Sequence, residues 1–155
     1  MMLTSTQIGE LAAQFFIAGV GTLCFAVLFA CPRKSLFFCG LVGAVGWFVY
    51  ELAVMLGADS AAASLLAVVP LTLLTRVFAI TLKLPVTVFL LSGIFPLVPG
   101  AGIYWTSYYL VTAQMRLAMS SGFAAMKAAI AIVLGIVFVF EIPNGFFRVL
   151  AGKRP

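Results

Sequence analysis

The sequence predicts an all-α integral membrane protein with about five transmembrane helices, the fourth broken at a Pro-Leu-Val-Pro-Gly motif. Three observations carry this. Apolar residues make up 65% of the 155 positions, against about 45–50% in globular chains. Charged residues make up 8%, against about 25%, too few to cover a soluble fold of this size. Apolar runs long enough to cross roughly 30 Å of hydrocarbon recur along the chain, separated by short polar or basic turns. Residues 1–155 read as a single polytopic membrane domain.

The first span is expected at about 11–30. The polar start, MMLTSTQIGE, has no Lys or Arg, so it lacks the positive region of a secretory leader, and the first apolar run should stay in the membrane. Ala18, Thr22, Ala26 and Ala30 recur every four residues and form a small face of the kind that lets helix backbones approach. Cys31-Pro32-Arg33-Lys34 is a basic turn, and Ser35 is placed to cap the second span, about 35–56. Gly40, Gly43 and Gly46 put a second small stripe on that span. Ser60 is the expected cap of the third, about 61–80, in which Pro70 should introduce a kink. The fourth segment covers about 86–118. The fifth follows a Ser120-Ser121-Gly122 turn and covers about 122–140, before a basic tail at 146–155.

Within the fourth segment, Pro96 and Pro99 each lack an amide donor and clash with the preceding turn, and Pro99 pushes Val98 out of the helical region. Gly100 and Gly102 tolerate what a side chain would not. The helix should break over about 96–102 and resume near Ile103. A break of this kind is either a packing kink or a functional opening. Inside a bilayer, opened backbone survives only against protein or a watery hollow, and freed helix ends are how many transporters hold carboxylates and ions. The amides near Gly100, Ala101 and Gly102 would then face a carboxylate.

Lys and Arg near the span ends set the orientation. Arg33, Lys34, Arg76, Lys83, Arg148, Lys153 and Arg154 fall on one side, and Arg116 and Lys127 on the other. The first group is assigned to the cytoplasm, with the N-terminus outside and the C-terminus inside. Among ionisable groups, Glu51 reads either as a proton relay or as an interfacial carboxylate, solvated or paired with Lys127. Arg76 and Lys83 are expected to extend toward cytoplasmic headgroups. Lys127 would attract an anion or extend outward. Tyr104 and Tyr108 share a face that would line a path or, with Trp105 and Tyr109, form an interfacial belt. A Glu141–Arg148 pair is conceivable on spacing alone.

Other chemistries find little here. Histidine is absent, which removes the usual base, relay and metal ligand. Cys24, Cys31 and Cys39 lack metal-site spacing and read as small hydrophobes. No paired carboxylates, phosphate loop or metal cluster stands out, so no catalytic residue, metal or cofactor is assigned and an enzyme is not expected. The scattered positive charge does not suggest nucleic acid.

The motifs also resemble a known family. Pro32-Arg33-Lys34-Ser35-Leu36 followed by Leu41 through Trp47, then Pro85-Val86-Thr87-Val88-Phe89 through Ile94-Phe95-Pro96-Leu97-Val98-Pro99-Gly100, resemble the two characteristic blocks of the threonine/serine exporter family, in the same order. The likeness is to its C-terminal membrane half, which in many bacteria is the small subunit of a split, two-component exporter. The resemblance implies export of threonine, serine or a carboxylate, including dicarboxylates, across the bacterial inner membrane. It also implies a larger partner subunit of the same family, with homo-oligomerisation left open. The competing reading is a non-transporting structural or channel-type membrane subunit. The site residues that follow are Pro96, Pro99, Gly100, Ala101, Gly102, Tyr104 and Glu51, with Arg76 and Lys127 as charge partners.

Overall fold

The structure, a computed structural model, describes residues 5–143. The basic tail at 146–155, with Arg148 and its expected contact to Glu141, lies outside the described residues. Six helices follow one another: α1 (Ser5–Leu28), α2 (Leu36–Met55), α3 (Ser60–Leu82), α4 (Val86–Ile94), α5 (Gly100–Val111) and α6 (Met115–Phe140). No strand occurs among the described residues. α1, α2, α3 and α6 are each long and apolar enough to cross a membrane. α4 and α5 make a fifth crossing if they form one broken span, bent by 51°. The result is an all-α multi-pass membrane protein.

α2 occupies the centre, with α1, α3 and α4 packed around it. Its glycines allow this. A Cβ on Gly43 would overlap the Thr22 side chain of α1, and one on Gly40 would lie 3.0 Å from the Gly19 carbonyl. On another side, Gly46 receives Leu71 of α3, while Gly93 of α4 receives Val42. Val42, Ala67, Val68, Leu71, Leu97 and Ile132 form the main buried cluster. In lipid, apolar side chains gain little by leaving the solvent, so close backbone packing at small residues supplies much of the association. α6 joins this group through Gly135, which admits Val68, and α5 packs on α6 where Gly102 meets Ala125 and Gly122 meets Thr106.

Several helix ends differ from the sequence expectation. Ser35 directs its hydroxyl back to the Pro32 carbonyl, 2.8 Å away, and supplies no side-chain cap to α2. Asp59, not Ser60, caps α3: its Oδ1 accepts from the Ala62 amide at 3.0 Å. α1 begins at Ser5, ahead of its apolar run, because a helix need not stop where hydrophobicity does. The expected turn at Ser120-Ser121-Gly122 is corrected to Thr112–Gln114, so α5 ends at Val111 and α6 begins at Met115. Ala113 adopts a left-handed conformation (φ 58°). The Gln114 amide then reaches back to the Tyr109 carbonyl at 2.8 Å. The same closure ends α1 at Ala30, α2 at Gly57 and α3 at Lys83. Only one of these four left-handed positions is glycine, the residue that suits it best.

Three stability tests follow, all read by thermal unfolding in detergent. Ala113→Gly should stabilise by about 1 kcal/mol, because it relieves a left-handed Cβ. Gly43→Val should destabilise by about 1–3 kcal/mol through overpacking against Thr22. Gly21→Ala, where nothing lies within 4 Å of an added Cβ, should be neutral or slightly stabilising.

Candidate functional site

The break between α4 and α5 is built in three steps. Phe95–Leu97 tightens into a single 3-10 turn, closed by the Val98 amide on the Phe95 carbonyl at 3.2 Å. Val98 is extended (φ −59°, ψ 128°), as a residue before proline should be. Pro99 then starts α5, with its carbonyl taken by the Ile103 amide at 3.1 Å, while the Gly100 amide turns back onto the Val98 carbonyl at 2.7 Å. The amides of Ala101 and Gly102 occupy the first turn, where a helix has no internal acceptor to offer them.

This opened backbone lines a cavity of about 220 Å³. Pro96 through Gly102 form one wall, Trp47 and Tyr50 of α2 a second, Ser60 and Ser64 of α3 a third, and Ala124, Ala125 and Ala128 of α6 close it. None of these lining side chains is charged. The polar groups are hydroxyls and amides: Tyr50 Oη and Ser60 Oγ share a hydrogen bond at 3.3 Å, and Ser64 Oγ donates to the Ser60 carbonyl at 2.7 Å. The Trp47 ring stacks on Tyr50, centroids 5.3 Å apart. Its Nε1 donates to Gln14 Oε1 of α1 at 3.0 Å, which holds the indole from behind. Such a hollow has room for several waters or one small solute. It offers neutral donors and a positive helix end toward an anionic group.

The structure thus brings Pro96, Pro99, Gly100, Ala101 and Gly102 together around one space. It places the remaining candidates elsewhere. Tyr104 is 61% exposed on α5 and does not line the cavity. Glu51 is half-buried near the end of α2 and is not a lining residue either. Lys127 pairs with Asp59, Nζ to Oδ2 at 3.9 Å, and not with Glu51. Arg76 is turned into the helix bundle. It is 6% exposed and donates to the carbonyls of Val139 and Phe140 at the end of α6, with its guanidinium 5.6 Å from the centre of the Phe140 ring. Cys31 and Cys39 both direct their thiols at the Val88 carbonyl. In the α1–α2 turn, burial and then the neighbouring Cys39 push the Cys31 thiol up from its ordinary value, which keeps it protonated and unreactive.

Trp47, Tyr50, Ser60 and Ser64 were not singled out as site residues from the sequence. A signal existed: Trp47 and Tyr50 lie three apart, and Ser60 and Ser64 four apart, so each pair shares a helix face. Trp47→Phe should lose the indole bond to Gln14. A double-mutant cycle with Gln14→Leu, read by thermal unfolding, should return a coupling of about 1 kcal/mol.

Among known proteins, the description "Threonine/Serine exporter, ThrE" matches residues 14–142. No curated protein and no solved structure matches the chain. The matched range runs from Gln14, behind the Trp47 indole, to the end of α6, and so includes every wall of the cavity. With its membrane-spanning helices and its proline-broken segment, the chain belongs to the threonine/serine exporter family, a family of membrane transporters rather than a class of enzymes.

Proposed function

We propose that this chain is one subunit of a bacterial inner-membrane exporter, that it passes a small amino acid or carboxylate, and that the cavity at the α4–α5 break is part of the substrate path. The observation that supports this most directly is the placement of the unwound backbone. Pro96–Gly102 faces a hollow shared by α2, α3 and α6, where a packing kink alone would need no hollow. The Ala101 and Gly102 amides at the head of α5 suit a carboxylate, because they combine free donors with the positive end of the helix dipole. The hydroxyls of Tyr50, Ser60 and Ser64 suit a second polar group on the same small molecule. Threonine and serine carry such groups, and so does a hydroxylated or second carboxylate.

The proposal includes the topology and the partner. With Arg33, Lys34 and Lys83 in the cytoplasm and Lys127 on the far side, the N-terminus lies outside and the cavity opens on the external half. A larger subunit of the same family, inserted in the opposite sense, would complete the path, since oppositely inserted halves with a site between them are a common transporter plan. Glu51, set beside the cavity wall on α2, is proposed as a proton-coupling carboxylate acting at a distance from the lining.

Gly100 carries the test. Nothing lies within 4 Å of a Cβ built on it, so a larger residue fits without disturbing helix packing yet occupies space at the break. Co-expressed with a larger subunit, Gly100→Leu should reduce threonine or carboxylate efflux at least ten-fold, while membrane insertion and yield stay unchanged. Undiminished efflux would remove the break from the path. Efflux by the parent pair that neither saturates nor responds to an imposed gradient would favour a channel or scaffold.

A further inference from the structure

Two polar contacts of opposite character flank the packed face between α3 and α6, where Ala128, Ala131 and Ile132 are buried. At one end the hold is firm. The Arg76 guanidinium is buried against the last carbonyls of α6, those of Val139 and Phe140. One turn back, Gly135 lets Val68 press against the α6 backbone. At the other end, beyond the buried Ala128, the polar contact is exposed. There the two elements meet through Asp59 and Lys127, 3.9 Å apart and exposed at 63% and 65%. Lys127 is flanked on α6 by the cavity-lining alanines Ala124 and Ala128, and Asp59 precedes the lining Ser60. The ion pair therefore sits at the rim of the cavity. It bridges the α2–α3 turn to α6.

α5 moves with α6 on this geometry. It has no buried residue of its own, and its close contacts run to α6 through Gly102–Ala125 and Gly122–Thr106. Its link to α4 is the Val98–Pro99 segment, where Val98 is extended and Pro99 has no amide to donate. From Lys127 to Val139 the lever along α6 is about 18 Å at 1.5 Å per residue. A small tilt about the Arg76 end thus gives ångström-scale separation at the rim.

We infer that Asp59 and Lys127 form the releasable gate of the cavity: closed, they hold the α5–α6 hairpin over it, and parted, they let the hairpin swing about the Arg76 end to admit or release solute. The inference rests on the transport reading for its purpose, but not for its geometry. Exposed ion pairs contribute little, which suits a contact that must break in every cycle. A pair of this strength biases the closed state by no more than about five-fold. Both residues are positioning residues. They touch no substrate and act through the hairpin.

The test reads access to the cavity separately from transport. Ser64 lines the cavity and is 1% exposed, so Ser64→Cys gives a buried reporter thiol. Its labelling by a membrane-impermeant maleimide is measured from each face of sealed vesicles, with the chain lacking Ser64→Cys as the background for the three native cysteines. Asp59→Asn, which keeps an acceptor for the Ala62 amide, and Lys127→Gln should each raise the labelling rate two- to five-fold from one face, and Lys127→Arg, which keeps the charge, should label at the parent rate. Thermal unfolding run in parallel separates access from stability, since a merely structural pair would change melting and leave labelling alone. Unchanged labelling in both single variants, or a Lys127→Arg chain that labels as fast as they do, overturns the gate. If labelling follows the pair while the parent exports nothing with its partner, the gate stands and the transport reading fails.

Discussion

Opened backbone inside a membrane has to be enclosed by protein, because lipid offers no hydrogen-bond partner to a freed amide or carbonyl. Pro96 and Pro99 impose such an opening on the fourth segment, and much of the rest of the fold can be understood as its enclosure. α2, α3 and α6 bring walls to it, and α1 supports the α2 wall through the Gln14–Trp47 bond. That enclosure demands helices that approach one another closely. This is why Gly40, Gly43 and Gly46 lie at the crossings of the central helix and Gly93 and Gly102 at the edges of the break. The same glycines that look like helix weaknesses in water act here as contact surfaces.

Charge is managed in an equally economical way. Among the described residues, Arg76 is the charged side chain most completely removed from solvent, and it is directed at the carbonyls of the last turn of α6, those of Val139 and Phe140. A cation there is favoured by the helix dipole as well as by the hydrogen bonds. Burial of this charge therefore does structural work, tying α3 to α6, and the cavity itself is left free of fixed charge. On the proposed transport reading, a neutral cavity lined by hydroxyls and amides suits a solute that must leave again, since a deep ionic trap would hold it.

Parts of this arrangement were legible in the chain. Composition and run length gave the membrane class. Proline placement gave the break, since missing amides act locally and do not depend on the rest of the fold. The glycine spacing on α2 gave the packing face. The turn before α6 is hidden in the sequence, because glycine and serine serve as packing and hydroxyl-bonding residues within these helices as readily as in turns. In a membrane helix, serine can satisfy its hydroxyl within the helix, as Ser107 does on the Ile103 carbonyl, and Gly122 serves as a packing site against Thr106. The real turn turns on Ala113, whose left-handed conformation has no marker in its side chain. The expected caps at Ser35 and Ser60 differ from the structure because the Ser35 hydroxyl finds the Pro32 carbonyl instead of an amide, and because the Asp59 carboxylate, one residue before Ser60, takes the Ala62 amide.

By itself the sequence determined what is local or additive: the bilayer as solvent, a set of apolar helices long enough to cross it, and the point at which the fourth segment cannot remain a helix. Only the tertiary structure decided which surfaces face the break, that Trp47, Tyr50, Ser60 and Ser64 share a hollow with Gly100–Gly102, that Lys127 meets Asp59 and not Glu51, and that Arg76 points inward. Those outcomes depend on the rotation and crossing of helices distant in sequence. A pattern along one chain records which face is small or apolar, and does not record which neighbour that face will meet.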